Sequence, residues 1–183
     1  MAIQLSNQRY EEIKRIVVRM FVEYGVSCVP INGFEIAYKM GVKIIPYSAY
    51  SPDKRWLLIK KSEDGFSVER TNGQWFIFYN DEKDYGRMNH TIMHEIGHIV
   101  LDHSEDSELA EKEVNFFAKY ALTPPVLIHK LKLDNPESIS QTFEVSYEAA
   151  CYAYSYYQKW LKFGGRDYTA YECQLLRLFG QAS

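Results

Sequence analysis

Apolar residues near the start of the chain recur at helical spacing. Tyr10, Ile13, Ile16, Val17, Met20, Phe21 and Tyr24 mark one face of a helix over residues 6–24, with Ser6 as its cap and Gly25 at its end. "PINGFEIAYKMG" (30–41) reads as a shorter second helix, because Asn32 and Glu35 stand at capping-box spacing and Gly41 suits the left-handed closing residue. The pattern then changes. "VKIIPY" (42–47), "RWLLIKK" (55–61), "FSVER" (66–70) and "QWFIFYN" (74–80) are short apolar or alternating runs, broken by Asp64-Gly65 and Asn72-Gly73, which favour tight turns. They predict a small, mainly antiparallel sheet, with Pro46 placing the first strand at an edge or ending it there. Helical spacing returns from residue 87, predicting helices over 91–103 and, after the polar "SEDSE", over 107–122, where Pro124-Pro125 stops it. Shorter helices follow over 126–132, 136–143, 146–161 and 168–179, with Gly164-Gly165 separating the last two. The class is α+β, with the strands in the middle of the chain.

Composition narrows the partners. The 183 residues are 46% hydrophobic and 25% charged, ordinary for a globular chain with a real core. A net charge of −3 advertises no field for nucleic acid. Cys28, Cys151 and Cys173 are far apart and form no CxxC pair, a pattern of reduced thiols. No leader-like apolar segment and no membrane-length apolar run is present, so a cytoplasmic location is expected.

The chemistry is concentrated in "NHTIMHEIGHIVLDH" (89–103), which holds His90, His94, His98 and His103 of the chain's 5 histidines. At about 100° per residue, His94 and His98 lie one turn apart on one helix face, able to share a tetrahedral cation. Glu95 then falls beside the open coordination position. This is the H-E-x-x-H arrangement of zinc hydrolases: neutral imidazoles bind the ion, the ion brings its water's pKa towards about 7, and the carboxylate takes the proton. The bland alternative is a pair of hydrogen-bonded core histidines. Against it, Ile92, Met93, Ile96, Ile99 and Val100 make the helix strongly apolar, so its polar groups need a purpose. Gly97 costs roughly 1 kcal/mol of helix propensity, which makes sense where another element packs closely.

A third ligand is expected on the next helix, "SELAEKEVNFFAKYAL". Its inward face, judged from Val114, Ala118, Ala121 and Leu122, includes Glu111 and Asn115. Glu113 lies about 160° round from Glu111, on the side of Phe117 and Tyr120. Glu111 is the better placed, with Glu113 its rival, and Asn115 is placed to support a ligating histidine from behind. His90, at the start of the helix, suits capping or substrate contact. His103, at the far end, is explained by the negative helix terminus.

These stretches resemble a known family. "GQWFIFYND", "RMNHTIMHEIGHIVLDH" and "EKEVNFFAKYALTP" are similar to the ImmA/IrrE metallopeptidases, and the likeness extends over roughly residues 8–161. The resemblance implies a zincin-like (gluzincin-like) fold, His94, His98 and Glu111 as ligands of Zn2+, and Glu95 as the base acting on the zinc-bound water. It also implies a protein substrate, a repressor with a helix-turn-helix, often from a phage or other mobile element. Val114 stands where the family usually has alanine, and "LTPP" where "LMP" is typical; neither touches the ligand set.

The expected organisation is a metallopeptidase domain over residues 1–125, including the N-terminal helices, and a C-terminal helical region over 126–183 packed on it. "PESISQTFEVSYEAACYAYSYYQKW" (136–160) has the outline of a helix-turn-helix, but its second helix begins with Tyr147, Glu148, Ala149, Ala150 and Tyr152 where a DNA reader needs basic or amide side chains. Nucleic-acid binding and membrane insertion are therefore not expected. Two function classes stand: a zinc endopeptidase using Glu95, or a non-hydrolytic, metal-containing regulator that binds a repressor or DNA. An intact Glu95 favours the first.

Overall fold

Ser6 begins the first helix: its hydroxyl accepts the Arg9 amide at 3.1 Å, and α1 (Asn7–Tyr24) runs until Gly25 turns left-handed at φ 63°. The structure, a computed structural model, describes residues 4–103, 107–164 and 167–180. In α2 (Gly33–Lys39) the Asn32 side chain accepts the Glu35 amide at 3.2 Å, as the capping spacing predicts.

The sheet has three strands, β1 (Lys43–Pro46), β2 (Gly65–Glu69) and β3 (Trp75–Tyr79), in the order β1-β3-β2. Asn72-Gly73 does make the β2–β3 hairpin, with Gly73 at φ 77°. Strand β1 instead lies parallel to β3, with Lys43 opposite Phe76 and Ile44 opposite Ile77. The sheet is thus mixed, not mainly antiparallel, and β1 is the edge strand that Pro46 predicts.

The correction comes from residues 55–61, which are not a strand but part of the helix α3 (Pro52–Lys61). Pro52 enters the first turn, Asp53 follows it, and Lys60 and Lys61 close the last turn, so both ends suit the helix dipole. The apolar run that suggests a strand is not buried: Trp56 is 60% and Leu57 58% exposed. Asp64-Gly65 is likewise no hairpin, since Gly65 opens β2 directly after α3.

Six helices complete the described chain: α4 (Tyr85–Val100), α5 (Glu108–Leu122), α6 (Pro125–Lys130), α7 (Pro136–Phe143), α8 (Tyr147–Phe163) and α9 (Ala170–Gly180). Helix α4 starts earlier than the expected 91 because Asp84 caps it, accepting the Arg87 amide at 3.0 Å. It also ends earlier, so His103 lies beyond the helix rather than in its last turn. Residues 104–106 of the polar stretch, and Gly165 of the glycine pair, lie outside the described residues.

The core gathers α4 (Ile92, Met93, Ile96), α5 (Phe117, Ala118, Ala121) and α1 (Ile13, Val17, Phe21). Helix α5 is covered by α4 on one side and α1 on another, so it buries more than the single face its spacing suggests. Gly97 allows the α4–α5 approach, since a Cβ there would stand 3.0 Å from the Phe117 ring. Asn89, fully inside, fastens α2 to α4 by accepting the Gly33 amide at 2.7 Å and donating to the Ile31 carbonyl at 2.9 Å.

Gly65 seats β2 against α4. A Cβ at this position would meet the Thr91 methyl at 2.6 Å and the Phe78 carbonyl at 2.7 Å. Gly65→Ala is therefore expected to lower the unfolding free energy by about 1–3 kcal/mol through overpacking. Denaturant titration checks this, and an unchanged midpoint would contradict the close seating.

Candidate metal centre

Helix α4 carries His94 and His98 on one face, and the first turns of α5 bring Glu111 opposite them. The His94 Nε2 lies 3.5 Å from Glu111 Oε2, and the His98 Nε2 3.2 Å from Glu111 Oε1. One ligand atom from each of the three falls within 4.8 Å of the others. Tetrahedral ligands at zinc distances sit about 3.3 Å from one another, so this donor set fits a zinc-sized ion. Glu111 is 47% exposed and faces the cleft, whereas a core carboxylate would be enclosed.

Burial pushes the His94 pKa down to about 4, with His98 and His90 adding to the shift and the neighbouring Asn115 side-chain oxygen opposing it. The ring is then neutral at pH 7, the form that coordinates metal. Asn115 donates its amide to the Glu111 carbonyl at 2.7 Å, which ties it to the turn that carries the third candidate ligand.

Glu95 is 7% exposed and points towards the sheet, where its Oε2 accepts the Ser67 hydroxyl at 2.7 Å. Ser67 belongs to β2, the edge strand on the opposite side of β3 from β1. No motif in the sequence marks it; only the seating of β2 on α4 brings it there. The cleft in front, about 660 Å³, is lined by Ser67, Glu69, Trp75, Glu95 and the three candidate ligands.

His90 and Glu113 fall outside the cluster. His90 faces a neighbouring cavity of about 540 Å³ with Lys119 and Tyr152, and burial lowers its pKa. Glu113 is turned towards α1, where Arg9 holds it through two hydrogen bonds of 2.7 and 2.6 Å. That guanidinium keeps the carboxyl below its usual range, against the effect of burial. His103 is not explained by a helix terminus: its Nε2 lies 2.9 Å from Glu113 Oε2 and its Nδ1 3.3 Å from His98 Nδ1. Glu113, the rival third ligand by spacing, is thus engaged elsewhere, and its link to His103 is not legible in periodicity, which shows neither the burial of α5 against α1 nor the turn after α4.

A family model described as the IrrE N-terminal-like domain, of peptidase type M78, matches residues 40–155, well over half the chain. The chain belongs to the IrrE-like M78 peptidase family. No curated protein matches it. The M78 segment contains His94, Glu95, His98 and Glu111 and runs from the residues before β1 into α8, leaving α1 and α2 outside. M78 membership supports a peptidase, and the His94–His98–Glu111 cluster supports one that uses a metal ion. Among the described residues, no helix of this M78 protein is long and apolar enough to cross a membrane.

Proposed function

We propose that this chain is a zinc-dependent endopeptidase whose substrate is a protein, specifically a transcription regulator carrying a helix-turn-helix. The observation that carries the hydrolytic part is the position of Glu95, a buried carboxylate next to three converging ligand atoms and at the edge of an open cleft. A purely structural metal site has no use for a base at that point. When bound, a zinc ion supplies Lewis acidity, lowering the pKa of a water and polarising a carbonyl.

The chain's own residues do the rest. Glu95 takes the proton of the attacking water and returns it to the departing amine. Ser67 holds one carboxylate oxygen by hydrogen bonding and so fixes the orientation of the Glu95 carboxylate at the edge of the cleft. As an edge strand, β2 lines the cleft through Gly65, Phe66, Ser67 and Glu69, and an extended peptide laid along it gains main-chain hydrogen bonds. The repressor as substrate is supported by the family resemblance, and the open cleft accommodates such a polypeptide.

The test is incubation of the zinc-loaded chain with a candidate helix-turn-helix repressor, read by the mass of the products. Cleavage is expected, to stop on chelation and to return with added zinc. Tight binding of the repressor without any cutting would overturn the hydrolytic reading in favour of a binding regulator.

A further inference from the structure

We propose that His103, Glu113 and Arg9 form a hydrogen-bonded chain that fixes His98 in the tautomer able to coordinate metal through Nε2. His103 and Glu113 are then positioning residues of the metal centre, and Arg9 is their anchor. The inference rests on His98 being a ligand.

The proton positions follow from the anchor inward. Arg9 donates from Nε and Nη2 to the two oxygens of Glu113, at 2.7 and 2.6 Å, so Glu113 is an ionised acceptor. Its Oε2 lies 2.9 Å from His103 Nε2, and that nitrogen must therefore carry a hydrogen. In a neutral His103 the other nitrogen, Nδ1, is then bare. It faces His98 Nδ1 at 3.3 Å, and two nitrogens in contact need one hydrogen between them. With a metal ion held between His98 Nε2 and Glu111 Oε1, which stand 3.2 Å apart, Nε2 has its lone pair engaged and His98 supplies that hydrogen from Nδ1.

The arrangement is sheltered from competing water. The side chains of His98 and His103 are each 12% exposed and that of Glu113 is 8%. The turn after α4 sets the geometry, since the His103 amide donates to the His98 carbonyl at 3.1 Å and folds the second ring behind the first. The chain also ends outside the matched family segment, on α1.

Partners behind a metal-bound histidine typically account for 10–100-fold in metal affinity. The test compares His103→Leu with His103→Gln by competition with a chromophoric zinc chelator, alongside thermal unfolding of the metal-free proteins. An amide offers an acceptor and a donor side by side, as a neutral imidazole does, so glutamine can bridge His98 and Glu113 while leucine cannot. His103→Leu is expected to weaken zinc binding by about 10–100-fold and His103→Gln to stay close to wild type. Wild-type affinity in the leucine variant, or equal loss in both, overturns the proposal. Nitrogen-15 NMR of the zinc-loaded wild type provides a readout that needs no variant: His98 protonated at Nδ1 and His103 at Nε2 supports the chain, and zinc bound through His98 Nδ1, or a His103 without a proton on Nε2, overturns it. A wild-type protein that takes up no zinc would instead remove the metal-site reading on which the chain depends, and the chain with it.

Discussion

Glu95→Gln is expected to keep zinc and lose catalysis, with kcat/KM falling by about 10²–10⁴-fold as the general base is removed. The substitution is close to isosteric, and the amide oxygen can still accept the Ser67 hydroxyl that Glu95 accepts at 2.7 Å. Packing at a position 7% exposed is therefore kept. What disappears is the ability to hold a proton between the attack on the carbonyl and the departure of the amine. Elemental analysis and single-turnover cleavage of a repressor substrate, run on the same preparation, separate the two effects. Zinc retained with cleavage at the wild-type rate would remove Glu95 from the catalytic role.

Glu111→Ala is expected to cost far more zinc affinity than Glu113→Ala, well over the 10–100-fold assigned to groups that act from behind a ligand. The two glutamates are two positions apart on α5 and have opposite surroundings. Glu111 is 47% exposed and stands 3.2–3.5 Å from both imidazole Nε2 atoms. Glu113 is enclosed, with both oxygens given to Arg9 and one also to His103. Removing Glu111 takes away a donor atom and the negative charge that offsets the ion. Removing Glu113 leaves all three donor atoms in place and loosens only the orientation of His98. Zinc dissociation constants for the two variants decide the matter, and the reverse order would reassign the third ligand.

The site itself was largely legible because its logic is local. His94, Glu95 and His98 need only helical spacing, and Glu111 needs one further helix whose start Ser107 marks by accepting the Ala110 amide at 3.1 Å. What could not be read depends on contacts between distant segments. Ser67 meets Glu95 across 28 residues, and Arg9 meets Glu113 across 104, so no window of sequence contains either pair. The helix at 55–61, where a strand is expected, has another cause: its short apolar run has a strand's composition, but Pro52 at one end and two lysines at the other decide a helix that buries no residue. The parallel placement of β1 is hidden for the same reason, since three strands in succession suggest hairpins and a helix between them does not.

The ion pair between α1 and α5 has a bearing on where this molecule can be cut. The segment recognised as the family's domain, residues 40–155, carries every candidate ligand and Glu95. Trimmed to that length, the chain would lose Arg9 together with the α1 side chains Ile13, Val17 and Phe21 that fill its interior. Glu113, which is turned towards α1, would lose its counter-charge and its cover together, and the apolar side of α5 would be opened to water. A protein cut to the family's bounds is therefore expected to unfold at a lower temperature than the 183-residue chain.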